Sequence, residues 1–276
     1  MNRLVIFLPA VMVLAGCSGD EPDMRADVPV IEAWIDSGGH PAVMFTSAIT
    51  PDPEGGDLMD KMIRWGKVTI SDGEREVIMT GARSTDHIPP YRYFTAEMLG
   101  EPHKTYRITA DYKSMHAESV CYMYEPTPID DITFTADSDN DTLRSTTLHF
   151  TAPADVPAYY YLTIRNSEST AGSLPALMGC KEATVAGEHV TIPVFNSKQN
   201  YKGEHFVAQL RVGQSAVVSL HRVPKEVYEF WRAYDDAVMF SENMLLGSNA
   251  SLPTNIRGGL GVFSARATSS KFITVK

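Results

Sequence analysis

The chain has 276 residues, 43% hydrophobic and 21% charged, an ordinary globular composition that excludes wholesale disorder, a collagen-like repeat and a protein of many membrane spans. Its formal charge of −10 opposes the basic footprint that phosphate backbones require, which excludes nucleic acid as a partner. The length suits one large domain or two ordinary ones.

Residues 1–16 read as an export signal. Asn2-Arg3 gives a positive start, and Leu4 to Ala15 is an apolar run of twelve residues interrupted by Pro9. A helix needs about 20 apolar residues to cross a bilayer, so the run fits a secretory core instead. Leu14-Ala15-Gly16-Cys17 then reads as a lipobox: small residues admit the chain to the signal peptidase, and the Cys17 thiol accepts the lipid. Two acyl chains already anchor a protein stably, so an acylated Cys17 makes the membrane a partner. Residues 17–27, with Asp20, Glu21 and Asp23, read as an acidic tether.

The body reads as strands. Asp72-Gly73, between Val68–Ile70 and Val77–Met79, is a hairpin signal because both residues tolerate positive φ. Tyr106, Ile108, Ala110 and Tyr112 alternate with polar residues, as do Ile132, Phe134 and Ala136 further on. Val190, Ile192 and Val194 repeat the pattern, followed by Phe206, Ala208, Leu210 and Val212. Period-two alternation marks sheets with one buried face. Gly213-Gln214-Ser215 is expected to turn the strand at 205–212 into one at 216–222. The prolines of Glu125-Pro126-Thr127-Pro128 mark a boundary. The expected fold is mainly β: two immunoglobulin-like β-sandwich domains at 28–125 and 126–276, the second carrying one amphipathic helix at about 224–240. In that helix Val227, Phe230, Trp231, Tyr234 and Val238 share a face, with Pro224 at the start.

Chemistry-bearing patterns are sparse. No two of the eight histidines lie within four residues, and no G-x-S-x-G elbow occurs, so no catalytic residue, metal site or cofactor is expected. Asp137-Ser138-Asp139-Asn140-Asp141 opens like a calcium loop, but Thr142 and Leu148 occupy the positions of its turn glycine and closing Glu, which favours an ordinary turn. Gly258-Gly259-Leu260-Gly261 precedes a strand rather than a helix, so close backbone packing is expected there rather than phosphate binding. Tyr159 and Tyr161 share one sheet face and Tyr160 the other; core packing is the commoner role. Tyr159, Tyr161 and Trp231 are nevertheless the candidates for a ligand or partner face. Cys121 and Cys180 either form a disulfide, since the export route is oxidising, or remain two separate buried thiols.

Pro224-Lys225-Glu226-Val227-Tyr228-Glu229-Phe230-Trp231, followed by Asn255-Ile256-Arg257-Gly258-Gly259-Leu260-Gly261-Val262-Phe263, resembles the closing signature of the DUF4249 lipoproteins of Bacteroidota. Ile31-Glu32-Ala33-Trp34-Ile35-Asp36 is similar to that family's first strand, and Gly100-Glu101-Pro102 with Pro126-Thr127-Pro128-Ile129-Asp130 to its mid-chain boundary. The resemblance implies an anchored, two-part β protein with no activity to carry over, often encoded beside TonB-dependent receptors. It also gives Ser18-Gly19-Asp20-Glu21 a reading, as a signal for export to the outer face of the outer membrane. The expected function is therefore a non-catalytic surface lipoprotein that binds a ligand or serves a TonB-dependent receptor. The alternative is a structural or adhesive surface lipoprotein without a transporter partner.

Overall fold

A computed structural model describes residues 28–48, 58–138, 140–198, 206–240 and 252–276. The signal segment, Cys17 and the tether lie outside these described residues. The first half supplies β1 (Pro29–Asp36), β2 (Ala42–Ser47), β3 (Lys67–Ser71), β4 (Glu76–Ile78), β5 (Thr80–Arg83), β6 (Tyr91–Phe94), β7 (Thr105–Tyr112) and β8 (Met115–Tyr122). The second half supplies β9 (Asp131–Ala136), β10 (Leu143–Thr151), β11 (Ala158–Asn166), β12 (Leu174–Pro175), β13 (Lys181–Ala183), β14 (His189–Pro193), β15 (Leu210–Arg211) and β16 (Ser215–Val223). Helix α1 (Lys225–Phe240) and the long β17 (Leu260–Thr274) follow. Among the described residues no helix is long and apolar enough to cross a membrane.

The fold is a mainly β sandwich assembly organised around one shared sheet. Nine strands form that sheet, in the order β12-β11-β16-β17-β1-β2-β6-β5, with β13 also on β11. Two four-stranded sheets, β4-β3-β7-β8 and β14-β10-β15 with β9, complete the layers. β17 makes the large sheet continuous: its first half pairs in parallel with β1, Val30 against Leu260 through Asp36 against Arg266. Its second half pairs antiparallel with β16, Ala267 against Arg222 through Thr274 against Ser215. Strand pairing therefore crosses the proline-rich segment at 125–128. Within that segment Thr127 is buried, its hydroxyl 3.0 Å from that of Tyr160.

Alternation decides what each face meets. Ile31, Ala33, Ile35, Val43, Phe45 and Ala265 pack with Val68, Ile70, Tyr106 and Ile108 in a first core. Leu162, Ile164, Val218, Leu220 and Ile273 pack with Leu148, Phe150, Val190 and Ile192 in a second. Ala265 and Ile273 have the same parity on β17, so one face of one strand feeds both cores. Gly261 permits the parallel pairing, because at φ 103° a Cβ would collide with the Ile31 carbonyl. Gly258, at φ 77°, also packs tightly against the His116 carbonyl, the close backbone approach expected of this glycine run.

The Asp72-Gly73 hairpin forms, with Gly73 at φ 90° and the Asp72 carboxylate accepting the N–H groups of Glu74 and Arg75. The strand expected over 205–212 shortens to β15. The Asn196 side chain donates to the carbonyls of Val207 and Gln209, and its N–H donates to that of Ala208, so this backbone is bonded outside any ladder. Gly213, at φ 84°, turns the chain from one sheet into another rather than closing a hairpin, since β15 pairs with β10 and β16 with β11 and β17. Helix α1 begins one residue after Pro224, whose carbonyl accepts from Val227 and Tyr228. Val227, Tyr228, Phe230 and Trp231 then join the first core cluster.

Candidate functional site

The outer face of the shared sheet carries the other set of alternate residues. Glu32, Trp34 and Asp36 on β1, Arg266 and Thr268 on β17, His221 on β16, and Tyr161, Thr163 and Arg165 on β11 share this face, where Tyr161 is buried with Trp231 of α1. The register sets Tyr161, His221 and Thr268 in one row across three strands. Above this face lies a cavity of about 900 Å³, lined by residues of both halves, among them Glu32, Trp34, Asp36, Arg266, Tyr161 and Trp231. Two loops meet at its rim. The Gly172 N–H donates to the Asp86 carbonyl (2.7 Å), and Gly172 packs against the His87 ring, which lies 5.0 Å from that of Trp34.

A charged network fixes the floor. Arg266 grips Asp36 through two bonds, Nε to Oδ1 at 2.7 Å and Nη2 to Oδ2 at 2.5 Å. The Thr268 hydroxyl donates to the same carboxylate at 2.7 Å. Burial alone would raise the Asp36 pKa, but the charge and hydrogen bonds of Arg266, with the bond from Thr268, hold it below the usual carboxylate range. His221 has both ring nitrogens engaged, with the Thr163 hydroxyl at 2.8 Å and the Thr268 hydroxyl at 2.9 Å. Desolvation, reinforced by Arg266, pushes its pKa down to about 3, so the ring is neutral. Burial pushes the Tyr161 hydroxyl up to about 12.

Glu32 differs from these groups. It opens onto the cavity and makes no hydrogen bond or ion pair among the described residues. The protein around it raises its pKa by desolvation, while the charge of Arg266 opposes that rise. The floor thus combines a locked Asp36–Arg266 pair, a neutral imidazole and the Glu32 side chain, which has no hydrogen-bond partner among the described residues. Neither His221 nor Tyr161 changes charge near neutral pH.

Of the residues singled out from sequence, Tyr161 and Trp231 come together, while Tyr159 meets another ring of α1. Tyr161 stacks on Trp231 at 5.2 Å and 21°, and Tyr159 meets Tyr228 at 5.2 Å. Tyr161 and Trp231 are 1% and 8% exposed, so these two rings face each other rather than a ligand ring. Cys121 and Cys180 are free thiols, and the bridge is not formed. Cys121 points into the first core, where its sulfur accepts the Ala265 N–H at 3.2 Å and burial pushes its pKa up to about 12. Cys180 instead lines a cavity of about 20 Å³ beside Trp231 and Asp235. Asp137 and Asn140 spend their side-chain oxygens on the backbone of Asn140 and Thr142, as in an ordinary turn, and Asp139 lies outside the described residues.

Sequence reasoning passed over Glu32, Asp36, Arg266 and His221. Each sits at a polar position of an alternating strand, indistinguishable from a solvent-facing one. The available signal was Arg266, the one charged residue in the run Val262 to Ala267.

Taken together, these features define a mainly β protein with two cores on one sheet and a polar cavity at their seam. The chain belongs to the DUF4249 family, described as a domain of unknown function, whose family model matches residues 20–271. No curated protein matches it. Among solved structures, a two fibronectin type-III domain segment from chicken tenascin is similar at 12% identity, covering 71% of this chain and 91% of that one with a TM-score of 0.21.

Proposed function

We propose that this protein is a non-catalytic, lipid-anchored protein of the outer-membrane surface that binds a small ligand in the seam cavity, either alone or as an accessory to a TonB-dependent receptor in nutrient uptake. The cavity of about 900 Å³ carries this reading, because it pairs apolar walls with fixed polar groups and with one acidic side chain, Glu32, that has no partner among the described residues. The lipobox at Leu14–Cys17 supports the anchor.

Purification in mild detergent tests the receptor arm: the tagged chain brings a large β-barrel with it, and a clean monomer would favour the adhesive alternative. Substituting Cys17→Ala abolishes acylation by mass spectrometry and releases a folded body. A variant that stays wholly in the membrane fraction would remove the anchor.

A further inference from the structure

Among the described residues the most exposed large apolar side chain is Trp65, at 87%. Its place in the fold is specific. The chain enters the body at Val28, whose carbonyl accepts from Ala48 just beyond β2. On the far side of β2, Thr46 bridges Met62, and the Ile63 N–H donates to Phe45 at 2.9 Å. Only β2 separates the entry point from the segment leading to Trp65, a distance of about 10 Å. The β7–β8 turn lies at the same end, because Gly259 packs on the Pro29 carbonyl and Gly258 on the His116 carbonyl.

This end is also basic in an acidic protein. Arg64, Lys67 and Lys113 are exposed there and make no ion pair among the described residues, while the whole chain carries −10. Asp111 and Glu118 are already paired, with His116 and with Arg107 and Arg257. Asp60, exposed in the turn that leads to Met62, offsets part of this charge, so the indole carries most of the contact.

The tether sets what this end can face. Residues 18–27 separate Cys17 from Val28 and reach at most about 40 Å when fully extended. The fifteen residues of β17 alone run roughly 50 Å. The anchored chain therefore keeps the Val28 end toward the bilayer, and an amphipathic indole flanked by cations belongs at the headgroup level.

We propose that this end, with Trp65 at its tip and Arg64, Lys67 and Lys113 around it, seats directly on an anionic lipid surface and fixes the orientation of the body. The inference rests on the lipid-anchor reading and extends it from a tether to a docked pose. The test uses the full acylated protein in phosphatidylcholine–phosphatidylglycerol vesicles with brominated acyl chains. Trp65→Phe defines the share of emission that belongs to Trp65. The expected result is that bromine quenches most of that share and that aqueous iodide loses access to it. Arg64→Glu with Lys67→Glu weakens the quenching in these vesicles and not in phosphatidylcholine alone. Vesicle-bound, acylated protein whose Trp65 emission stays open to iodide and unquenched by bromine overturns the inference while leaving the anchor intact. Shielding from iodide without bromine quenching marks a protein face and overturns it as well. Protein lacking acyl groups and remaining in the supernatant overturns the anchor reading itself.

Discussion

The two faces of the nine-stranded sheet are built from neighbouring residues of the same strands, yet they do opposite work. On the inner face Ile31, Ala33 and Ile35 are at most 1% exposed and fill a core. One residue along, Glu32, Trp34 and Asp36 line a cavity. The inner face gains its stability from area removed from water, which needs no direction. On the outer face Asp36 and Arg266 need each other at a set angle, because an uncompensated buried charge costs several kcal/mol. The first face is thus the source of stability, and the second holds polar groups in place at the expense of some of it.

The comparison breaks most visibly on the inner face. Phe263→Ala, at a fully buried position on β17, is expected to cost about 3–5 kcal/mol. Because β17 serves both cores, tryptophan emission and far-ultraviolet dichroism should shift to lower urea together; separate transitions would show that the cores are independent. Next comes Arg266→Ala, which leaves Asp36 without its bidentate partner and is expected to cost about 3 kcal/mol in urea titration. Pairing it with Asp36→Leu should recover much of that loss, since the cost lies in the orphaned charge.

Asp235→Asn sharpens the picture at a smaller scale. Burial and the neighbouring Asp236 raise the Asp235 pKa from 3.8 to about 6, while the Met178 N–H bonds its oxygen at 3.0 Å. The folded state therefore binds the proton more tightly than the unfolded chain does, and stability falls as pH rises from about 4 through 6. Asparagine keeps the acceptor and removes the charge. It should add about 1–2 kcal/mol at pH 7, allowing for solvent screening, and nothing below pH 4, as read by thermal melts across pH. The smallest effect is expected for Glu32→Gln: a gain within about 0.5 kcal/mol at neutral pH. The same substitution should remove any ligand-induced rise in melting temperature, separating a binding group from a structural one.

Local pattern was legible in the sequence where a single strand or helix decides the outcome. The alternation at 106–112 and 190–194 matches buried faces, that at 132–136 does so only at Ile132 and in part at Phe134, with Ala136 exposed, and the apolar spacing of 227–238 matches the face of α1. Pairing was not legible. Nothing within Pro29–Asp36 shows that its parallel neighbour is Leu260–Arg266, because a strand's pattern specifies a face and not a partner. The cavity was hidden for the same reason, since its polar residues mimic exposed ones until the loops at Asp86 and Gly172 close over them. Tyr161 and Trp231 were the exception: bulky aromatics at a helical and a strand period are conspicuous, and they meet.

The parallel seam also has a temporal meaning. Ser37 and Thr268, which exchange hydrogen bonds, are 231 positions apart, so the ribosome finishes almost the whole body before the opening strand can find its neighbour. Contacts of such long range slow folding. A truncated product ending before Leu260 would expose raw edges on both β1 and β16, the kind of surface that recruits other chains into aggregates.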